Sequence, residues 1–273
     1  QCLGGIPVPL YSDAAAQEMV FVFQNAEIAF ALAEDQEQVD KLLEIRETVP
    51  HLKRIIYEDP RGLRNYDQPG LASYEQIRAL GEQFLREHPT LIDEEIAKGR
   101  ADDVAAMFYT SGTTGNPKGV VLGYGNLLAA GRAGADMEGL THSEEVLAYL
   151  PMAWIGQNIF SYTQWLVCGF TVNCPESAAT VMADLREIGP TYYFAPPRVL
   201  EALLTQVMIR MEDASAIKRR VFHYYMDVAR RVGGRLLDGQ PVGLGDRLNY
   251  GLGNWLVYAP LRNALGMSRI RVA

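Results

Sequence analysis

One stretch of eleven residues limits what this chain can be more than any other: Tyr109-Thr-Ser-Gly-Thr-Thr-Gly-Asn-Pro-Lys-Gly119. Gly112 and Gly115 lack a Cβ, so the backbone there can enter left-handed conformations and bring its N–H groups close to an anion. Thr110, Ser111, Thr113 and Thr114 add hydroxyl donors, Lys118 adds a mobile positive charge, and Pro117 fixes the backbone ahead of it. Upstream, the apolar run Val104-Ala-Ala-Met-Phe-Tyr109 suits a buried strand. The loop then leaves a strand end, where α/β sheets usually hold ligands. A plain Ser/Gly turn needs neither four hydroxyls nor a lysine, so the pattern reads as a cradle for phosphate.

Two other phosphate motifs do not fit. The Walker loop needs Gly-Lys-Ser/Thr opening a helix, whereas Lys118 follows Pro117 and precedes Gly119. The dinucleotide fingerprint needs a third glycine that Gly243-Leu-Gly245 and Gly251-Leu-Gly253 lack.

The rest of the chain alternates helix and strand. Ser12-Asp13 can cap a helix to about Asn25, followed by strand 27–33, helix 35–48 and strand 53–57. The run 59–72 reads as a loop, and Ser73-Tyr-Glu-Gln76 as a capping box opening a helix to about Glu87. Segment 88–103 reads as a solvated connection. After the loop the expected order is strand 118–122, helix 125–137, strand 146–150, buried helix 156–167, strand 170–174, helix 177–187, strand 191–194 and helix 197–212. Such alternation predicts an α/β fold with a largely parallel sheet flanked by helices.

From Val146 to Pro175 there is no charged residue, but Pro151, Gln157, Asn158, Ser161, Thr163, Gln164 and Asn173 would be left unpaired in hydrocarbon, so a buried α/β unit is expected rather than a membrane span. The formal net charge of −8 argues against nonspecific binding to nucleic acid. Cys2, Cys168 and Cys174 have no CxxC spacing and read as reduced core thiols of a cytoplasmic protein. His51, His88, His142 and His223 lack ligand spacing and are expected on the surface or in loops; the metal ligands stay unknown. From about Met208 to Gly266 long helices carry Arg210, Lys218, Arg219, Arg220, Arg230, Arg231 and Arg235. Two readings of them stay open, a solvated face or contact with an anionic membrane surface or CoA phosphates.

Residues 109–119 resemble the signature of the AMP-forming acyl-activating enzymes, which include acyl-CoA synthetases, luciferases and peptide-synthetase adenylation domains. Leu150-Pro-Met-Ala-Trp-Ile155 resembles a second core segment of that family. Tyr193-Phe-Ala-Pro-Pro-Arg198-Val-Leu-Glu201 and Leu256-Val-Tyr-Ala-Pro-Leu-Arg262-Asn-Ala-Leu-Gly266 are similar to segments of its long-chain fatty acyl-CoA synthetase branch, and Leu3-Gly-Gly-Ile-Pro-Val-Pro-Leu-Tyr11 to the strand and turn before the signature. The resemblance implies layered sheets flanked by helices, in part of a large N-terminal adenylation domain. Its expected divisions are an upstream α/β part (1–103), the signature loop with a parallel α/β part (104–207), and a helical insertion with the start of the next strand (208–273). Complete members are much longer than 273 residues, so a fragment is expected, without the small C-terminal domain and inactive alone.

The same resemblance implies activation of a long-chain fatty acid by ATP and Mg²⁺ to an acyl-adenylate, then transfer to coenzyme A. Thr110, Ser111, Gly112, Thr113, Thr114, Gly115 and Lys118 would hold the phosphates, with Lys118 and Thr113 as the catalytic pair. Trp154 would sit beside the carboxylate pocket, where many acyl-CoA synthetases have histidine; a buried core aromatic is the other reading. Arg198 and Glu201 are expected to form a contact at a helix start. The alternatives are an adenylation domain that loads a carrier protein, or a noncatalytic nucleotide- or lipid-binding relative. Peripheral contact with the inner face of a membrane and the oligomeric state are left open.

Overall fold

The computed structural model describes residues 1–110 and 115–273, and the chain forms two compact units, Gln1–Gly134 with Leu150–Gln164, and Ala135–Tyr149 with Trp165–Ala273. The first unit opens with α1 (Ala16–Asn25), β1 (Phe30–Ala33), α2 (Gln36–Ile45), β2 (Arg54–Tyr57) and β3 (Leu71–Ser73). The three strands pair in parallel in that order, with α2 serving as the crossover between β1 and β2. Asp35 starts α2 by accepting the Gln38 N–H at 3.1 Å. Val39, Leu42 and Ile45 then fall on one face and pack with Met19, Phe23 and Ile55. Burying each such side chain contributes at most about 1.5–3 kcal/mol.

Several expectations change here. Ser12 and Asp13 do not cap α1; Glu18 reaches back to the Ala15 N–H at 3.1 Å, while the Ser12 carbonyl accepts from Gln38 and Lys41. The run expected as loop contains β3, whose three residues are too few to show a period but gain partners in Ile55–Tyr57. The capping box forms as expected: Ser73 and Gln76 exchange hydrogen bonds and open α3 (Tyr74–Glu87). The supposed solvated connection holds a helix, α4 (Leu91–Lys98), whose first-turn acids Asp93 and Glu94 and last-turn Lys98 suit the helix dipole.

The largest correction concerns the signature. β4 (Val104–Thr110) and β5 (Lys118–Gly123) pair antiparallel as a hairpin, not within a parallel sheet, and α5 (Tyr124–Glu138) follows. The uncharged helix is α6 (Ile155–Gln157), a π-helical stretch Asn158–Thr163, and α7 (Gln164–Cys168). Its buried residues include Gln157, Asn158, Ser161, Thr163 and Gln164, with Gln157 Nε2 donating to Ser161 Oγ at 2.9 Å. That pairing offsets the cost of burying polar groups. Among the described residues no helix is long and apolar enough to cross a membrane.

In the second unit β6 (Glu145–Leu147) and β7 (Thr171–Asn173) are parallel, and single bridges link Val146 to Tyr192 and Tyr192 to Val272. The strand expected at 191–194 shrinks to Tyr192, because Pro196 and Pro197 follow closely and cannot donate to a ladder. Leu147, Leu185 of α8 (Val181–Ile188) and Tyr193 form its core, with Tyr149 stacked on Tyr193 at 5.7 Å. α9 (Pro197–Glu212) starts on a proline, which suits the first helical position. It packs through Val207 against Phe222 and Tyr225 of α10 (Ala216–Val228). A π-helical stretch (Ala229–Gly233), α11 (Gly234–Leu237), α12 (Leu244–Gly253), a further π-helical stretch (Asn254–Tyr258) and α13 (Ala259–Ala264) complete the unit.

All three cysteines are free, but Cys2 and Cys174 are exposed and Cys168 is half-buried, so they are not core thiols. The four histidines are exposed, as expected. Among the described residues no ion pair joins Arg198 to Glu201; both are exposed, and the Glu201 carbonyl accepts from Thr205. Three members of the cationic cluster form exposed pairs, Arg219–Glu212, Arg230–Asp227 and Arg231–Asp246, which fits the solvated-face reading for those residues.

Candidate active site

The β4–β5 hairpin sets the geometry at both ends of the signature loop. Ser111, Gly112, Thr113 and Thr114 lie outside the described residues. Thr110 and Lys118 are direct register partners, and both are exposed. Residues opposite each other in an antiparallel pair share a face, so the hydroxyl and the ammonium stand side by side at the loop's base. Gly115 has φ 138°, a conformation that side chains other than glycine's rarely allow.

One register step inward, Tyr109 pairs with Gly119 on the opposite face. A Cβ added to Gly119 would lie 3.1 Å from the Tyr109 ring, so the ring occupies the space that only a glycine leaves. The Tyr109 hydroxyl donates to Asn25 Oδ1 at 2.6 Å, and burial pushes the phenol above its ordinary pKa. Ala105, Ala106 and Phe108 hold β4 in the interior, and the Met107 N–H donates to the Pro7 carbonyl at 3.0 Å. The loop is thus carried on a strand anchored on both sides. Sequence reasoning assigned Tyr109 no role, although its alternation with buried Phe108 placed it on the opposite face of the strand.

Trp154 precedes α6 and is half-buried. Its N–H donates to the Pro151 carbonyl at 3.0 Å, and its ring folds over Gly156, where an added Cβ would fall 2.4 Å from the indole. The indole is therefore positioned by its own turn. Among the described residues there is no group of three or more His, Cys, Asp or Glu side chains that could hold a metal ion.

An exposed cation beside a hydroxyl at a hairpin end can bind a multiply charged anion. The family described as AMP-binding enzyme matches residues 2–246. Among curated proteins, the chain is similar to the long-chain-fatty-acid–CoA ligase ACSBG2 of Xenopus laevis, 29% identical over 276 residues, covering 97% of this chain and 36% of that protein. It is similar also to ACSBG1 of Bos taurus, 27% identical over 274 residues, covering 97% of this chain and 36% of the relative. The chain therefore spans 36% of the length of these relatives.

Among solved structures, the adenylation domain of a carboxylate reductase from Mycobacterium chelonae has a TM-score of 0.56 at 16% identity, covering 97% of this chain and 38% of that one. A long-chain-fatty-acid-CoA ligase (FadD1) from Archaeoglobus fulgidus has a TM-score of 0.53 at 18% identity, covering 77% of this chain and 37% of that one. At these identities the structural likeness speaks for the fold alone.

Proposed function

We propose, since the chain belongs to the AMP-binding enzyme family, that the full-length protein activates a long-chain fatty acid with ATP and transfers the acyl group to coenzyme A. In the first step a fatty-acid carboxylate oxygen attacks the α-phosphorus of ATP; the bond to the β-phosphate bridge oxygen breaks and pyrophosphate leaves. In the second, the thiolate sulfur of coenzyme A attacks the acyl carbon of the adenylate, and AMP departs with the bonding electrons. Both reactants of the first step are anionic, so the protein's task is to neutralise charge and align groups.

Lys118 and Thr110, paired across the hairpin base, are the observation that carries this reading. In it Lys118 and Thr113 act on the reacting phosphates, while Thr110, Ser111, Gly112, Thr114 and Gly115 hold them, with Mg²⁺ as the metal that accompanies ATP. Trp154 borders the acyl pocket. A lipid substrate also favours peripheral contact with a membrane. Exchange of labelled pyrophosphate into ATP by the full-length protein, with acids from acetate to palmitate, tests the proposal. Exchange that depends on a long-chain acid is expected; folded protein that exchanges with no acid would overturn it.

A further inference from the structure

The three-stranded sheet of the first unit is fully covered on one face only. Ala31, Ile55 and Leu71 are register partners and pack into the core formed with α1 and α2. On the other face Leu32, Ile56 and Ala72 are partners, as are Phe30 and Arg54. There Ala72 is buried and Ile56 half-buried, but Phe30 and Leu32 are 59% and 75% exposed. All three strands are parallel, and parallel sheets ordinarily bury both faces. A helix is about 10 Å across and strands lie about 4.8 Å apart, so one helix covers about two strands. α3 follows β3 directly and lies against β3 and β2. The strip over β1 is left bare, with the width of one further helix.

α3 borders that strip with apolar side chains of its own. Its charged row, Glu75, Arg78 and Glu82, is joined by ion pairs. Ile77, Leu80 and Phe84 follow at helical spacing on another side, Leu80 and Phe84 57% and 51% exposed, and no residue of α3 is buried. Leu80 lines a groove together with Arg54 and Ala72, so the stripe adjoins the bare face of the sheet. Among the described residues the half-buried Arg54 makes no ion pair. The residues on this face, Phe30, Leu32, Arg54, Ile56 and Ala72, include no acid, so a second copy would offer Arg54 another Arg54 and no carboxylate. An amphipathic helix with an acid beside its apolar stripe suits both the strip and the guanidinium. The chain spans 36% of the length of its curated relatives, so most of a full-length protein of that size lies outside residues 1–273.

We propose that this face is the seat of one amphipathic helix from the part of the full-length protein outside residues 1–273. Its apolar side rests on Phe30, Leu32, Leu80 and Phe84, and a carboxylate on its flank meets Arg54. The inference is independent of the adenylation chemistry.

The test is photo-cross-linking of the full-length protein with Phe30 replaced by benzoylphenylalanine, in a mixture of isotopically light and heavy chains whose linked peptides are mapped by mass spectrometry. The expected product joins position 30 to a peptide of the same chain outside residues 1–273. Links between light and heavy chains, links confined to residues 1–273, or no link at all would each overturn the proposal. A second measurement needs no probe. Leu32→Ala in the full-length protein is expected to lower the thermal midpoint by on the order of 5 °C, because a leucine seated under a helix leaves a cavity when truncated. A leucine facing water leaves none, so an unchanged midpoint would also overturn the proposal. Pyrophosphate exchange is read separately: its absence in wild-type protein would count against the adenylation reading and leave the cross-link map interpretable.

Discussion

The hydroxyl of Tyr109 and the amide oxygen of Asn25, 84 residues apart in the chain, meet in a 2.6 Å hydrogen bond that ties the signature hairpin to the end of α1. On the same hairpin the tyrosine ring fills the gap over Gly119. We expect Tyr109→Phe to leave the fold intact, at a cost of about 0.5–1.5 kcal/mol for one lost hydrogen bond. Under the proposed function it should raise KM for ATP while leaving KM for the fatty acid unchanged. Equal effects on both constants would mean that the tyrosine only supports the fold.

Lys118 is exposed, so its removal should scarcely affect stability, by no more than about 0.5 kcal/mol. If it neutralises phosphate charge, Lys118→Ala should slow acid-dependent pyrophosphate exchange on the order of 10²-fold. Exchange at the wild-type rate would remove the lysine from the mechanism.

The turn around Trp154 predicts a steric effect and a specificity effect. Gly156→Ala drives a methyl group into the indole and should displace it. Trp154→Ala should shift acyl chain-length preference across the series from acetate to palmitate, and Gly156→Ala should shift it in part. An unchanged preference in both variants would leave Trp154 as packing only.

Glu144 offers a pH prediction. Burial pushes its carboxyl upward, but hydrogen bonds from Thr191 at 2.7 Å and from Arg271, with the Arg271 charge, outweigh burial and hold it below its ordinary value of 4.5. A carboxyl lowered in the folded state stabilises the fold above the unfolded-state value, and the contribution fades as pH falls through the folded-state value. The stability gap between wild type and Glu144→Gln should therefore be full at neutral pH, on the order of 1–3 kcal/mol, and narrow on acidification below 4.5. Urea midpoints measured across that range will show it; a gap independent of pH would assign the cost to packing.

Much of the local structure was legible. Ser73 and Gln76 act within one helical turn, so their capping followed from residue type and spacing. Helix 197–212 matched because a proline start and an apolar stripe are local signals as well. β3 and α4 are not legible in the sequence because one is stabilised by a partner strand and the other is short and has no fully buried residue. The exposed cysteines were misplaced because apolar neighbours in sequence do not guarantee burial.

By itself the sequence determined the alternation of helices and strands and the family, because these depend on side-chain type and on contacts a few residues apart. Tertiary structure decided that the signature strands run antiparallel, that Thr110 faces Lys118, and that Tyr109 reaches Asn25. Those outcomes depend on which distant surfaces exclude water together, a balance of burial against chain entropy that no short window of residues contains.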